Sequence, residues 1–222
     1  MSARNRGGSV TDPDELYETP AWATRLIIHA LYGRSPDVPR SQLWLEPCAG
    51  NGLIVRACRE AGVGPTWEMV EHVERCRPAL EVSAAGDVVW IGDFFTSPAA
   101  TTPAFAGPPF DVVIMNPPFS RASEFVERCL PLSNRVIVLL RLNWLGSEKR
   151  AGFLHEHMPD VYVLPNRPSF IVGKQTDATE YGWMVWPGTK DRGTGIIGIL
   201  EVTSKDVRKA EKLARLVEPA LR

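Results

Sequence analysis

The sequence lacks the features that mark membrane, secreted and metal-binding proteins. No apolar run approaches the roughly 18 residues that cross a bilayer, and residues 1–9 contain no apolar signal core. The cysteines Cys48, Cys58, Cys76 and Cys129 form neither a CxxC pair nor a cluster with histidines, so reduced thiols are expected rather than disulfides or a metal site. These absences predict a cytoplasmic protein without membrane contact or bound metal.

The sequence also lacks an excess of charge of either sign, because the net charge is −1. The molecule as a whole is therefore not an obvious binder of polyanions. Positive charge is denser over residues 121–150, where three glutamates accompany Arg121, Arg128, Arg135, Arg141, Lys149 and Arg150. This segment indicates either a local basic face that contacts phosphates or an ordinary solvated helix face.

The 222 residues are expected to form one domain, residues 15–222, preceded by a polar, flexible arm at residues 1–14. Strand-like and helix-like segments alternate over residues 42–158, which predicts a parallel sheet with helices on both faces. Closely spaced strand-like segments after residue 160 predict at least one antiparallel strand, and a terminal amphipathic helix follows. Ligands of such sheets bind beyond the carboxyl ends of the strands.

Two segments at predicted strand ends suit a cationic nucleoside ligand. Residues 46–52, Glu-Pro-Cys-Ala-Gly-Asn-Gly, place glycines between a strand and a helix, where the backbone turns tightly and approaches a ligand. Glu71 ends the next strand, and a carboxylate there can accept hydrogen bonds from both ribose hydroxyls. A structural turn and a surface glutamate remain the alternatives.

A third strand end carries Asp93 and Phe94. The carboxylate can accept a hydrogen bond from an adenine amino group while the aromatic ring packs on the base; a loop aspartate beside a core phenylalanine is the alternative. His72, next to Glu71, either lies against the same ring or is solvated.

The most specific motif is the sequence Asn116, Pro117, Pro118, Phe119 after a buried strand. Two prolines remove two N–H donors and bias the preceding backbone to an extended conformation. The Asn116 amide oxygen and the Pro117 carbonyl can then accept both hydrogens of a planar amine, and Phe119 offers a face on which a base stacks. A plain turn explains the prolines but not the flanking residues.

These four segments, in this order, resemble the signature segments of class I amino-methyltransferases. Residues 17–22 resemble the segment that precedes the glycine turn in DNA adenine-N6 methyltransferases, and residues 167–170, 176–177 and 181–186 resemble the tail of small phage- or prophage-type adenine methyltransferases. The chain departs from many relatives at Glu46 and Cys48, where they carry Asp and Phe. It also has no insertion large enough for a separate target-recognition domain.

The resemblance implies a Rossmann-like α/β fold, with a mostly parallel seven-stranded sheet and an antiparallel edge strand. It implies S-adenosyl-L-methionine as cofactor and methyl transfer to the N6 amino group of a flipped-out or single-stranded adenine in DNA. A homodimer is a further expectation. The implied cofactor residues are Tyr17, Thr19, Pro20, Glu46, Pro47, Cys48, Ala49, Gly50, Gly52, Glu71, His72, Asp93, Phe94 and Asn116. The implied catalytic residues are Asn116, Pro117, Pro118 and Phe119, and the implied substrate-binding residues are Phe119, Arg141, Arg167, Phe170 and Lys174.

Other functions remain open at this point. RNA and the glutamine side chain of a protein also present a planar amino group to a turn of this type. A non-catalytic nucleic-acid-binding subunit with the same fold is a second alternative, and it predicts that the protein does not bind S-adenosylmethionine. A nicotinamide-dependent dehydrogenase would leave residues 116–119 without a role.

Overall fold

The structure is a computed structural model that describes residues 15–101, 108–170, 178–187 and 194–217. The predicted arm at residues 1–14, Lys174 and residues 176–177 lie outside the described residues. The helices are α1 (Ala21–Tyr32), α2 (Leu53–Glu60), α3 (Arg77–Ala84), α4 (Pro98–Thr101), α5 (Ala122–Cys129), α6 (Glu148–Glu156) and α7 (Lys205–Val217). The strands are β1 (Leu43–Glu46), β2 (Thr66–Glu71), β3 (Val88–Ile91), β4 (Val112–Met115), β5 (Val136–Arg141), β6 (Asp160–Val163), β7 (Tyr181–Trp186) and β8 (Ile197–Ile199).

The strands form one sheet in the order β3-β2-β1-β4-β5-β7-β6-β8. Strands β1 to β5 pair in parallel, and β7 runs antiparallel to both β5 and β6. The antiparallel strand thus belongs to the edge region, with β6 and β8 outside it. The predicted parallel sheet with an antiparallel addition in its tail is confirmed.

The sheet is buried on both faces by two hydrophobic clusters. Along β4, Val112 and Ile114 belong to one cluster, whereas Val113 and Met115 belong to the other. This division follows from the two-residue period of a strand, which sends alternate side chains to opposite faces. Because both faces are covered, β4 is a continuous apolar run rather than an alternating one.

The sheet has eight strands, and the predicted number of seven is wrong. The additional strand β8 pairs in parallel with β6, with Val161 opposite Ile197 and Val163 opposite Ile199. The strand-like segment was visible in the sequence at residues 196–202, but its contribution to the sheet depends on a neighbour distant in sequence.

Helix α7 packs against the protein through its polar face. Val207 and Leu213 are 43% and 51% exposed, while Glu211 and Arg215 face the body of the protein through ion pairs with Arg25 and Glu18. Long-range electrostatic contacts therefore orient this helix.

Within the described residues, no helix has both the length and the apolar character of a membrane span. The cysteines are free; Cys58, Cys76 and Cys129 are buried and Cys48 is half-buried.

Candidate functional site

A cavity of about 280 Å³ opens at the carboxyl ends of β1, β2, β3 and β4. All four strand-end motifs and the segment before α1 meet there, as expected for parallel strands whose carboxyl ends share one edge. The predicted site residues that line it are Tyr17, Thr19, Glu46, Pro47, Cys48, Ala49, Gly50, Glu71, His72, Asp93, Phe94, Asn116 and Pro118.

Residues 46–52, here called the glycine turn, depend on glycine at position 52. Gly52 has φ of +74°, and a Cβ added to it would lie 2.4 Å from Cβ of Ser83. That residue lies on α3 and donates its hydroxyl to the Asn51 carbonyl at 2.9 Å. Gly52 therefore allows the turn to pack closely against α3, and it does not line the cavity.

Glu71 anchors the glycine turn through its carboxylate. The two oxygens accept hydrogen bonds from the backbone N–H groups of Gly50 at 2.6 Å and Val73 at 2.7 Å. The residue is 5% exposed. Each carboxylate oxygen has a second acceptor position, so Glu71 can hold the turn and still accept a hydrogen bond from a ligand.

Glu46 is the more deeply buried carboxyl, at 1% exposure, and its Oε2 atom has no hydrogen-bond partner. Burial raises the pKa of this carboxyl well above its ordinary value, and the neighbouring charge of Glu71 raises it further. The same causes, burial first, raise the pKa of the Cys48 thiol. Burial therefore disfavours the charged form of both groups.

Asp93, Phe94 and His72 occupy the far side of the cavity. Asp93 is half-buried and accepts a hydrogen bond from the Phe95 N–H at 3.1 Å. Phe94 is 2% exposed and stacks on Phe125 with ring centroids 5.5 Å apart, so it is mainly a core residue with one edge at the cavity. His72 is exposed.

Residues 116–119, here called the proline corner, place an unpaired acceptor at the cavity. The Asn116 Nδ2 group donates to the Tyr17 carbonyl at 2.8 Å. Since a carbonyl only accepts, this bond fixes the amide orientation. The Oδ1 atom is buried and has no partner. Unpaired buried acceptors are uncommon in folded proteins because they cost roughly 1–3 kcal/mol.

The aromatic residue of the corner, Phe119, lies outside the cavity lining in a cluster of rings. Tyr17 stacks on it at 5.4 Å with an interplanar angle of 18°, and the Arg141 guanidinium lies over its ring at 4.7 Å. Phe170 and Tyr181 pack nearby at 6.1 and 5.8 Å. A base that stacks on Phe119 would use ring surface that Tyr17 and Arg141 now occupy.

The prolines of the corner are structural. Pro117 is buried, and the Pro118 carbonyl accepts from the Arg121 N–H at 3.0 Å, which closes the turn into α5. Of these corner residues, Asn116 is the one that carries a buried side-chain acceptor without a partner.

Some predicted site residues lie elsewhere. Pro20 begins α1 behind the cavity, and it lines a second cavity together with Arg167. Arg167 also forms an exposed ion pair with Glu180. Residues 121–150 were expected to form either a basic face or an ordinary solvated helix face. Contacts with rings, carbonyls or hydroxyls of the protein itself are made by Arg121, Arg128, Arg135, Arg141 and Arg150.

The resemblance over residues 17–22 predicted cofactor-binding residues, but it did not assign Glu18 a role in joining the two sides of the site. Glu18 accepts from the Asn51 amide at 2.7 Å and from Arg215 at 3.1 Å. Because Tyr17, the neighbouring residue, holds Asn116, the segment 15–19 connects the glycine turn, the proline corner and α7.

No family model matches the chain, and no curated protein matches it significantly. Among solved structures, the chain is similar to a candidate RNA methyltransferase from Pyrococcus horikoshii, with a TM-score of 0.58 and 18% identity over 78% of this chain and 87% of that one. It is also similar to a candidate class I S-adenosylmethionine-dependent methyltransferase from Listeria monocytogenes, with a TM-score of 0.58 and 12% identity over 98% and 74%. A dimethyladenosine transferase from Plasmodium falciparum gives a TM-score of 0.53 and 14% identity over 78% and 62%. The fold is the Rossmann-like class I methyltransferase fold, and that prediction is confirmed.

Proposed function

We propose that the protein is an S-adenosylmethionine-dependent methyltransferase that modifies the N6 amino group of adenine in DNA. One observation carries the proposal: Asn116 lines the sheet-edge cavity, and its Oδ1 atom is buried without a hydrogen-bond partner. An acceptor that the fold leaves open at this place is suited to an N–H group of a ligand. The fold supports methyl transfer as the class of reaction.

The glycine turn fits S-adenosylmethionine by charge and by space. The turn contains one buried carboxyl, Glu46, and a second one, Glu71, binds its backbone. The unpartnered Oε2 of Glu46 suits a cationic ligand better than a phosphate. Gly50 has φ of +53° and lets the backbone line the cavity without a side chain. When bound, the cofactor supplies an electrophilic methyl group on a sulfonium, whose S–C bond breaks as the N–C bond to the amine forms.

The proline corner orients the target amine. Asn116 Oδ1 accepts one N–H of the amine, and the nitrogen lone pair is thereby directed away from the ring and toward the cavity. The prolines hold the corner rigidly. Because the methyl group of the cofactor is already electrophilic, the reaction needs alignment of the amine more than a strong base. After the transfer, the surplus amine proton leaves to solvent.

The target base reaches this corner only outside a duplex. The Tyr17 ring and the Arg141 guanidinium cover the ring of Phe119. A flipped-out or single-stranded adenine can stack on Phe119 if it displaces one of these two groups. Phe170 belongs to the same cluster of rings as Phe119. Arg141 and Phe170 are the substrate-binding residues that this geometry supports best.

Methyl transfer from labelled S-adenosylmethionine to DNA, RNA and protein, assayed in parallel, tests the proposal. We expect label in DNA, recovered as N6-methyladenine after digestion to nucleosides. Label in another base, or no transfer by protein that binds the cofactor in a calorimetric titration, would contradict it.

RNA is the second candidate substrate. It is favoured by one of the similar solved structures, which is described as a candidate RNA methyltransferase. The proline corner makes no contact that distinguishes ribose from deoxyribose, so the RNA arm of the same assay decides between the two.

A further inference from the structure

We propose that a groove between α7 and residues 167–169 binds the phosphodiester backbone of the nucleic acid whose base enters the proline corner. The groove, here called the basic groove, has a volume of about 220 Å³. Its charged lining consists of Arg167, Arg208, Lys209, Lys212, Arg215 and one carboxylate, Glu211. The inference rests on the proposed function and adds the surface that holds its substrate.

The single carboxylate of the basic groove already has a hydrogen-bond donor and an ion-pair partner within the protein. Glu211 accepts a hydrogen bond from the Trp22 N–H at 3.0 Å and forms an ion pair with Arg25. Arg25 does not belong to the groove lining. Arg167 and Arg215 are ion-paired with Glu180 and Glu18, which do not belong to the lining. The positive charge that the groove offers to a ligand therefore lies mainly on α7, although the protein as a whole has a net charge of −1.

Arg208 and Lys209 are the cations best placed for phosphates. Among the residues that the structure describes, no carboxylate forms an ion pair with either of them; Arg208 has one long contact, 3.4 Å, to the Ser204 carbonyl. Lys209 is exposed and Arg208 is half-buried. Guanidinium and ammonium groups without intramolecular partners bind phosphate by charge and hydrogen bonding at a small desolvation cost.

The basic groove is continuous with the target side of the candidate site. Arg215 donates to the carbonyls of Ser169 and Phe170, each at 3.1 Å. Phe170 in turn packs against Phe119 with centroids 6.1 Å apart. Phe170 is itself buried, at 5% exposure, so these contacts place the basic groove next to the ring cluster that holds Phe119.

The length of the groove suits a short stretch of backbone. Its α7 lining runs from Arg208 to Arg215, which at about 1.5 Å per residue spans about 10 Å. The contacts involve only the backbone, so the groove should bind without sequence preference. It would thus supply affinity that does not depend on the sequence of the bound strand.

The test measures the affinity of single-stranded DNA and single-stranded RNA 30-mers by fluorescence anisotropy over a series of salt concentrations. The variant carries Arg208→Ala and Lys209→Ala, because alanine preserves the helix. We expect about tenfold weaker binding of whichever strand the wild type binds. The slope of log K against log salt should fall by about 1.4, which is about 0.7 for each lost phosphate contact on a single strand.

The control variant carries Arg34→Ala and Lys149→Ala, which remove the same charges from exposed positions outside the groove. It should bind with the wild-type slope. A variant with Arg208→Gln and Lys209→Gln should reproduce the alanine result, and melting curves should show all variants folded.

Equal slopes for the wild type and the groove variant, or no binding of either strand by the wild type, would overturn the basic groove. Binding is measured without cofactor, so it is independent of methyl transfer. If the groove variant loses binding but the wild type transfers no methyl group, the groove stands and the proposed function fails. If methyl transfer occurs and the groove variant binds normally, the proposed function stands and the groove fails.

Discussion

The glycine turn and the proline corner each contain a buried oxygen without a hydrogen-bond partner, but at the turn it belongs to a carboxyl, which titrates, and at the corner to an amide, which does not. Glu71 receives two backbone N–H groups, and the raised pKa of Glu46 lets that carboxyl shed its charge by taking a proton. The Asn116 side chain cannot take up a proton in this way, because an amide does not titrate, and its Oδ1 has no partner. A proton can therefore relieve the buried charge at the turn, whereas only a hydrogen-bond donor can satisfy the acceptor at the corner.

This difference predicts that damage to the glycine turn lowers stability as well as cofactor binding. The variant Gly52→Ala combines a left-handed backbone conformation with a Cβ 2.4 Å from Cβ of Ser83. We expect a loss of about 2–5 kcal/mol in the free energy of unfolding, measured by urea denaturation.

The matched control is Gly86→Ala. Gly86 has φ of +94°, and no atom lies within 4 Å of the added Cβ. This variant should lose only the conformational part, about 1–2 kcal/mol. Equal losses for the two variants would show that the contact with α3 does not shape the turn.

At the proline corner, the largest effect is expected in catalysis rather than in stability. The variant Phe119→Ala removes the ring on which the target base would stack, a contact that contributes about 1–3 kcal/mol per base. We expect kcat/KM for the nucleic acid to fall about 10- to 100-fold, while the dissociation constant of the cofactor stays near that of the wild type.

Phe119→Tyr keeps the ring and should keep most of the activity. A similar loss in cofactor affinity and in kcat/KM would instead assign Phe119 to the cofactor side.

The smallest effect concerns the pH dependence of stability at Glu46. Its pKa is raised in the folded protein, so the folded state binds this proton more tightly than the unfolded state does. The contribution to stability is therefore fully present below the unfolded pKa, near 4.5, and is lost as the pH rises through the folded pKa.

The variant Glu46→Gln should abolish that part of the decline, which has a limiting slope of about 1.4 kcal/mol per pH unit. Denaturation curves of both proteins over a pH series, without cofactor, measure it. Parallel pH profiles would show that the carboxyl is ionised in the folded protein, with a partner at Oε2.

The sequence was sufficient to predict the parallel part of the sheet and the residues that meet at its edge. Residues 46–52, Glu71, Asp93 and residues 116–119 each follow a strand, and parallel strands bring their carboxyl ends together. Predictions from local pattern succeeded there because strand and turn preferences are local properties.

The failures concern contacts between distant parts of the chain. The sequence predicts an amphipathic α7 but not which face packs against the protein. Ion pairs of Glu211 with Arg25 and of Arg215 with Glu18 turn the polar face inward, and Val207 and Leu213 are exposed. The eighth strand depends on pairing with β6, and the basic groove depends on the orientation of α7. None of these arrangements has a signature in a single segment.

The role of Asn116 is tested most directly by single-turnover methyl transfer from labelled S-adenosylmethionine to adenine-containing single-stranded DNA, with the variants Asn116→Ala and Asn116→Asp. Asn116→Asp keeps an oxygen acceptor but loses the Nδ2 bond to the Tyr17 carbonyl, so it separates the two functions of the side chain. We predict that Asn116→Ala lowers the rate constant about 100-fold or more, with cofactor affinity near that of the wild type, and that Asn116→Asp retains much more activity. An unchanged rate constant for Asn116→Ala would contradict the account.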